Sequence, residues 1–282
     1  MGIVLQSPAK VNCTLRITGR RPDGFHELRS LFLTLSAVES LTITPSGDHT
    51  GRDRIEITGE TVVGENILEK VLAHARRKVP LPAMEIGLHK VIPPGSGLGG
   101  GSGNAAALIR WLNGLHLGLD MSGGEVGSDV PFLVSGAPVA LVGGRGEGVE
   151  PLAPLENRLS VLVVIPKWSV STAAAFSSFD RGTAGRTMSD RDAEREARLV
   201  HTALAKGERV GLLPNDFLPF LGACHREYAH LFPVMEEAGA LGWGLSGSGS
   251  AAFGLFPRGY PFLSAAAGMN EFGWVRKILV LE

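Results

Sequence analysis

The sequence has little net charge, few cysteines and no long apolar run. Its 27 Lys and Arg residues nearly balance 28 Asp and Glu residues, so we expect no basic field that gathers nucleic acid or anionic membrane. Cys13 and Cys224 alone cannot build a disulfide framework or a four-thiolate zinc site. The apolar stretch 159–166 has strand length, and residues 1–20 lack a signal-peptide core. We therefore expect a soluble cytoplasmic protein that binds neither nucleic acid nor membrane.

Two common motifs of catalytic sites are also missing. His225 and His230 are five residues apart, which is not the spacing of a helical zinc pair, and no HExxH occurs. No Lys-Ser or Lys-Thr pair follows a glycine loop, so a Walker A site is excluded. We interpret the histidines outside the motifs discussed below as structural, and we predict no metal site built from protein ligands.

Glycine is unusually abundant: the chain has 38 glycines in 282 residues, roughly twice the average fraction of about 7%. The glycines cluster instead of recurring every third residue, which excludes collagen. The densest cluster, 95–104, lies between a predicted strand and a predicted helix. Glycines allow consecutive amide groups to converge, and the helix adds its positive end, so this pattern predicts an anion site suited to phosphates.

Hydrophobic periodicity predicts an α+β protein in two halves, 1–155 and 156–282. The predicted strands are 11–18, 30–36, 40–46, 54–58, 84–93, 138–144, 159–166 and 274–282. The predicted helices are 65–78, about ten residues from 105, 189–207 with a cap at Ser189, and pieces of 215–242 that are broken at Pro219 and Pro233. A turn is predicted at 21–24, and four glycines leave 114–127 little capacity for a helix.

The glycine cluster also satisfies a dinucleotide-binding pattern. Gly95, Gly97 and Gly100 read G-x-G-x-x-G, and Asp120 follows twenty residues after the last of them. Two prolines separate the predicted strand from the first glycine, and no alternating strand–helix continuation follows. A nicotinamide-dependent dehydrogenase therefore stays open as a weaker alternative to another phosphate-binding class.

Three segments in order resemble the motifs of one kinase superfamily. They are SPAKVN (7–12), PPGSGLGGGSGNAA (93–106) and GLSGSGSAAFGLF (244–256). They are similar to the motifs of the galactokinase, homoserine kinase, mevalonate kinase and phosphomevalonate kinase (GHMP) superfamily. The resemblance implies a two-domain small-molecule kinase fold that uses ATP and Mg²⁺. Its N-terminal half would resemble a ribosomal-protein-S5-like domain, and its C-terminal half would be ferredoxin-like.

Three further segments resemble one branch of that superfamily. They are 19–32, 127–132 and 170–176. That branch phosphorylates the 2-hydroxyl of a cytidine-diphosphate-linked methylerythritol in non-mevalonate isoprenoid precursor biosynthesis. A homoserine or mevalonate type of kinase, and a catalytically impaired nucleotide-binding relative, stay open as alternatives.

The resemblance also implies roles for individual residues. Lys10 and Asp129 would lie at the active centre, where Asp129 would take or orient the proton of the attacking hydroxyl; on the residues alone, Asp129 before a proline is typical of a turn. The ATP-binding residues would be Pro93, Pro94, Gly95, Ser96, Gly97, Leu98, Gly99, Gly100, Gly101, Ser102, Gly103, Asn104 and Asn66, with the Ser102 hydroxyl near the magnesium ion. The substrate-binding residues would be Asn12, Phe25, His26, Thr172 and Phe176, with the cytosine ring between the aromatic residue at 25 and Phe176.

The sequence departs from the superfamily pattern at two places. Gly103 stands where many relatives carry a serine, which predicts one hydroxyl fewer at the phosphates. The segment between Asn113 and Ser128 is short, so we expect the phosphate loop to be more open to water, with slow turnover and some ATP hydrolysis.

The glycine loop also predicts the effect of a bulky substitution. A valine at Gly100 is expected to fill the space that the phosphates need.

Overall fold

The computed structural model describes residues 2–46, 52–62, 64–155 and 159–281. Its strands are β1 Ile3–Asn12, β2 Arg16–Arg20, β3 His26–Pro45, β4 Arg54–Gly59, β5 Met84–Lys90, β6 Val139–Gly144, β7 Gly148–Pro151, β8 Leu159–Pro166, β9 Gly211–Leu212, β10 Gly242–Leu245, β11 Ala252–Pro257 and β12 Val275–Leu281. Its helices are α1 Ile67–Arg76, α2 Gly100–Gly114, α3 Val130–Ser135, α4 Thr172–Thr183, α5 Asp190–Ala205, α6 Leu218–Cys224, α7 Glu227–Glu237 and α8 Leu263–Asn270. Within these ranges, no helix combines the length and apolarity that crossing a membrane requires.

The chain forms two compact units that interleave along the sequence. The first comprises the described residues of 1–10, 34–94 and 99–137, and the second those of 11–33, 95–98 and 138–282. The long strands β1 and β3 each contribute residues to both units. The predicted division near residue 155 is drawn along the sequence and stays a prediction.

In the first unit, β5 lies between two partners. It pairs antiparallel with the second half of β3, with Ser40 opposite His89, and parallel with β4. Its side chains alternate between buried and exposed, as a strand with one covered face requires. Helix α2 contacts both α1 and α3, and it is almost wholly apolar between residues 105 and 109, which are all buried. Neither strand paired with β5 follows α2 in the chain, so the parallel βαβ unit of a dinucleotide-binding fold is not formed at this loop.

The second unit contains a five-stranded sheet in the order β12-β8-β11-β10-β9. All its neighbours are antiparallel except β10 and β9. The first half of β3 pairs with β2 and β6, and β6 pairs with β7. A cluster of buried aromatic and aliphatic side chains, including Phe179, Tyr228, Trp243 and Phe256, forms the core of this unit.

Most predicted elements are confirmed, and the differences have physical causes. The two strands predicted over 30–46 are one strand, β3, which passes through Ala37 with φ 52°. Pro219 lies in the first turn of α6 instead of breaking it, because an amide at that position needs no partner within the helix. Pro233 lies inside α7, so the predicted break at that residue is wrong. The hydrophobic periodicity of the sequence did not predict helices α3, α4 and α8.

Candidate active site

The glycine segment turns from loop to helix earlier than predicted. Gly95, Gly97 and Gly99 have φ of 74°, 79° and 66°, which is the left-handed region that glycine adopts without a Cβ clash. Helix α2 then begins at Gly100, inside the glycine run, with Gly99 as its N-cap. The exposed amides of a helix start therefore lie within the run itself, which is the geometry of an anion site.

The predicted pair of Lys10 and Asp129 meets at this helix start. Lys10 Nζ lies 3.3 Å from Asp129 Oδ2, with side chains 4% and 27% exposed. A Cβ built on Gly99 would lie 3.2 Å from the Lys10 side chain and 3.4 Å from Asp129 Oδ2. The ammonium and the carboxylate thus pack directly against the N-cap of α2, where the positive φ of Gly99 and the tight contact with Lys10 both favour glycine.

Asp129 is placed by the start of α3. It occupies the N-cap position, but its side chain makes no capping hydrogen bond. A turn aspartate ordinarily uses its carboxylate locally, so the carboxylate here is directed to Lys10 instead. The short segment before α3 thus leaves Asp129 in contact with Lys10.

The short segment is packed against the unit. The Asn113 side chain donates to Met121 O and accepts from Met121 N, each at 3.1 Å, and Leu119 and Met121 are buried. No helix forms between residues 115 and 129, as the glycine content predicts. The double hydrogen bond fixes the first half of the segment to the end of α2 without a helix.

The remaining part of the phosphate loop belongs to the second unit. Ser246 Oγ donates to Gly97 O at 2.9 Å, and Ala251 N donates to Ser96 O at 2.8 Å. A Cβ on Gly97 would lie 2.1 Å from Ser246 O, so the second glycine motif of the sequence packs directly against the first. Thr172, at the start of α4, shares a hydrogen bond of 3.0 Å with Ser248 of this second glycine motif.

Two of the predicted aromatic residues, His26 and Phe176, are in contact in the second unit. The rings of His26 and Phe176 are stacked with centroids 4.6 Å apart and 15° between their planes. His26 Nε2 lies 2.8 Å from Asp180 Oδ1, so a carboxylate holds the imidazole in place. Phe25 is 51% exposed, and the guanidinium carbon of Arg145 lies 3.8 Å above its ring. Neither Asp180 nor Arg145 was predicted, since each lies far along the chain from the motif at 19–32.

The two predicted asparagines outside the loop occupy buried positions. Asn12 ends β1 and donates from Nδ2 to Ser30 Oγ at 3.0 Å. Asn66 caps α1, where its Oδ1 accepts from Leu68 N at 3.0 Å. The capping role explains the oxygen of Asn66 but not its nitrogen, because Nδ2 is buried and finds no hydrogen-bond partner among the described residues. A buried unpaired donor is costly, and an ordered water or a bound ligand ordinarily supplies its acceptor.

Asn104 leads to a buried ionic network that sequence reasoning missed. Its Nδ2 donates to Ser7 Oγ at 2.9 Å and to Glu39 Oε2 at 2.7 Å. Glu39 in turn binds Lys90, with both oxygens 2.8 Å from Nζ. Burial lowers the pKa of Lys90, and the charge of Glu39 opposes that shift. The signal was present in the sequence: Lys90 continues the buried alternation of Met84, Ile86 and Leu88, and Glu39 that of Leu41 and Ile43.

The other loop residues differ in which way a side chain would point. Pro93, Ser96 and Leu98 are buried, Pro94 and Gly95 are exposed, and Gly101 and Ser102 are half-buried. A Cβ on Gly100 would lie 3.0 Å from Ile92 Cβ and Lys90 Nζ, whereas a Cβ on Gly101 meets open space. A valine at Gly100 would therefore strain the packing beneath the helix, which corrects the expectation that it would fill the phosphate space.

Gly103 is also explained by packing. A Cβ there would lie 1.7 Å from Pro8 O, so β1 approaches α2 too closely for any side chain at this position. The expectation that a hydroxyl is lost from the phosphates at this position is therefore wrong, since a side chain at 103 would be directed at the backbone of β1.

Two family models match the chain. The model of the GHMP kinases N terminal domain matches residues 66–136, and that of the GHMP kinases C terminal domain matches residues 200–273. The first match contains the cap of α1, the glycine segment and Asp129. The fold and the site therefore define a GHMP kinase, and the dehydrogenase alternative is wrong.

Individual relatives narrow the class. The chain is 33% identical to the 4-diphosphocytidyl-2-C-methyl-D-erythritol kinase of Symbiobacterium thermophilum, over 98% of this chain and 99% of the relative, and 34% identical to that of Moorella thermoacetica, over 95% of each. A crystal structure of 4-(cytidine 5'-diphospho)-2C-methyl-D-erythritol kinase is similar with a TM-score of 0.79, 28% identity and coverage of 99% of this chain and 98% of that one. Homoserine kinase from Cytophaga hutchinsonii shares the fold, with a TM-score of 0.64, 17% identity and coverage of 100% and 94%. The chain belongs to the 4-diphosphocytidyl-2-C-methyl-D-erythritol kinase family.

Proposed function

We propose that the chain transfers the γ-phosphoryl group of ATP to the 2-hydroxyl of 4-diphosphocytidyl-2-C-methyl-D-erythritol, a step in non-mevalonate isoprenoid precursor biosynthesis. The observation that carries this proposal is the Lys10–Asp129 pair packed against Gly99 at the start of α2. Phosphoryl transfer depends on positioning and charge neutralisation more than on covalent chemistry. A carboxylate beside a helix start can orient a hydroxyl, or take its proton, next to bound phosphates.

The N-terminal turn of α2 supports ATP as the phosphoryl donor. Its unpaired amides and the helix dipole favour phosphate oxygens. Asn66 supports a nucleotide as the bound group, because its buried and unpaired Nδ2 requires an acceptor. We propose that the loop 93–104 and Asn66 bind ATP. The Asn104 side chain would contribute indirectly, through its hydrogen bonds to Ser7 and Glu39.

Magnesium fits the residues of this site. Within the described residues, no group of three or more His, Cys, Asp or Glu could hold a metal. Magnesium usually takes one or two protein oxygens beside substrate phosphates and water, so the hydroxyl of Ser102 in the first turn of α2 meets that demand. The bound ion would neutralise charge on the β- and γ-phosphate oxygens.

The aromatic residues of the second unit support a substrate that carries a base. Phe25, His26 and Phe176 offer the flat surfaces on which a pyrimidine stacks, and Asn12 and Thr172 add polar groups. Neither homoserine nor mevalonate carries a ring that would use these surfaces. We therefore favour the cytidine-linked substrate over those of other GHMP kinases, and we place the reaction in the cytoplasm.

The organisation of the chain is part of the proposal. We propose that residues 1–155 form the domain with the phosphate-binding loop and that residues 156–282 form the C-terminal domain. The matches to the N- and C-terminal domain models fall on the two sides of this boundary.

ADP release with ATP and magnesium tests the function, using the cytidine-linked substrate, homoserine, mevalonate and no substrate in parallel. We expect phosphorylation of the cytidine-linked substrate alone, with ADP release above the slow ATP hydrolysis that the short segment 114–127 predicts in the absence of substrate. Equal turnover with homoserine or mevalonate would assign the chain to another kinase type, and ADP release independent of any substrate would leave only an ATPase.

Phe176→Ala tests the stacking surface within the same assay. We expect binding of the cytidine-linked substrate to weaken by about 1–3 kcal/mol, the range measured for base–aromatic stacking, with the KM for ATP unchanged. Phe232→Ala is the matched control, because Phe232 packs against the same core but stacks on Tyr228. An equal KM for the substrate in both variants contradicts the pocket.

A further inference from the structure

The carboxylate of Glu39 receives five hydrogen bonds in the interior of the first unit. Lys90 Nζ binds both of its oxygens at 2.8 Å, and the backbone amides of Val91 and Ile92 donate to Oε1 at 2.9 and 2.7 Å. Asn104 Nδ2 donates to Oε2 at 2.7 Å. The Glu39 side chain is fully buried and that of Lys90 is 4% exposed. This one side chain is therefore saturated by donors from two separate segments.

These two segments are the two stems of the phosphate loop. Lys90, Val91 and Ile92 lie at the end of β5, where the chain enters the loop. Asn104 lies in the second turn of α2, where the chain leaves it, and it is also held by Ser7 of β1. Glu39 itself belongs to β3, which is paired with β5. One carboxylate on a neighbouring strand thus fixes both the entry and the exit of the loop.

The network also touches the first residue of the phosphate-binding helix. Lys90 Nζ lies 3.0 Å from the position of a Cβ on Gly100. The ammonium of Lys90 therefore lies close to the first turn of α2. Small displacements at groups remote from the chemistry cost affinity and rate.

A buried ion pair often adds no more to the free energy of unfolding than apolar residues of the same volume would. We propose that Glu39 is a positioning residue for ATP, which acts through Lys90 and Asn104 to hold the two stems of the phosphate loop and the first turn of α2 in the geometry that binds phosphates. This inference rests on the proposed function, since it assigns the network to the ATP site. A solely structural role would lower stability and leave the affinity for ATP in the folded protein unchanged.

The test compares Glu39→Gln with Asp53→Asn. Asp53 is the matched control, because it also accepts from a cation, Arg76, and from a backbone amide, Met84 N, at the opposite end of β5. Asn104→Ala is the second variant, which detaches the exit stem and leaves the Glu39–Lys90 pair in place. The measurements are calorimetric Kd for ATP, separate KM and kcat values, and hydrogen exchange at amides 100–104 in ligand-free protein.

We expect Glu39→Gln to raise the Kd and KM for ATP by about tenfold or more, and Asn104→Ala to raise them by less. The KM for the cytidine-linked substrate and all values for Asp53→Asn should change by less than about twofold. Exchange at amides 100–104 should accelerate in Glu39→Gln and not in Asp53→Asn.

The proposal is overturned if Glu39→Gln folds and its Kd for ATP equals that of Asp53→Asn. If Glu39→Gln does not fold, the proposal is overturned when the Kd of Asn104→Ala for ATP equals that of the unmodified protein. Failure of the proposed function has a different signature. The unmodified protein would then bind ATP without phosphorylating the cytidine-linked substrate, and the calorimetric comparison would still decide the role of Glu39. If it bound no ATP, exchange at 100–104 would still report whether Glu39 holds the helix start, and unchanged exchange in both variants would refute that role.

Discussion

Among the described residues of the first unit, two lysine–carboxylate pairs contain a buried lysine, and they differ in how much of the carboxylate is occupied by hydrogen-bond donors. Lys90 Nζ contacts both carboxylate oxygens of Glu39 at 2.8 Å, and the two side chains are 4% and 0% exposed. Lys10 and Asp129 approach at 3.3 Å, with side chains 4% and 27% exposed. Both lysines adjoin glycines at the start of α2, Lys90 beside Gly100 and Lys10 beside Gly99.

The difference separates a group that holds structure from one that can act on a ligand. The oxygens of Glu39 are already bound by donors from the loop stems, so no lone pair is offered to a substrate. Asp129 makes no capping bond and retains exposed surface. A carboxylate must reach the proton that it takes or orients, and Asp129 meets this requirement while Glu39 does not.

The largest effect is expected from Asp129→Asn. The amide keeps the size of the carboxylate and removes its charge and basicity, so kcat should fall by roughly 10²–10⁴-fold, as for loss of a general base. The Kd for ATP should stay nearly constant, because the helix amides are untouched. Steady-state kinetics and calorimetry measure the two quantities, with Asp53→Asn as the control. A change confined to KM would mean that Asp129 only holds substrate.

The two lysines should differ in their contribution to stability. Lys90→Met leaves the carboxylate of Glu39 buried without its cation, and we expect the free energy of unfolding to fall by about 3–5 kcal/mol. Lys10→Met leaves a carboxylate that water can partly solvate, so the loss should be smaller than for Lys90→Met. Urea denaturation of both variants measures the difference. Equal losses would show that the pairs are energetically alike.

The third of these predictions concerns Gly101, in the first turn of α2. Gly101→Val places a side chain in open space at the first turn of α2, where it should weaken ATP binding by about tenfold or more, which is 1.4 kcal/mol. Gly114→Val is the control, because Gly114 ends the same helix and also faces open space. Calorimetry with ATP should separate the two variants while their unfolding free energies remain similar. Equal Kd values for ATP would argue against phosphates at this turn.

Local signals in the sequence were sufficient for much of the fold. The periodicity of 65–78, the cap at Ser189 and the strand pattern of 159–166 all predict elements that the structure contains. Helix α3 escaped detection because six residues are too few for a periodic pattern. Pro233 misled because an interior proline ordinarily ends a helix, whereas tertiary packing around buried Tyr228, Leu231 and Met235 sustains α7 through it.

The residues of the candidate site also fall into two groups, those that local sequence motifs predict and those that depend on the folded structure. The motifs identified Lys10 and Asp129 because short segments carry their own pattern. Glu39 and Lys90 lie 51 positions apart, and their partnership depends on strand register, which sequence alone leaves open. The direction of a side chain at Gly100 or Gly103 is likewise set by neighbours from β1 and from the end of β5, so space around a glycine could not be predicted before the chain was folded.

The double hydrogen bond between Asn113 and Met121 has a consequence for how this chain tolerates change in length. It closes a short surface loop immediately after α2, and the chain then continues to Asp129 through a separate turn. For a flexible loop, closure entropy grows slowly, at about 0.6 kcal/mol for each doubling of length. Residues inserted at the exposed Leu117 would therefore enlarge only the closed loop and leave the anchor points of the active centre where they are. A fluorescent label or a short affinity sequence could be carried at that point by a working enzyme.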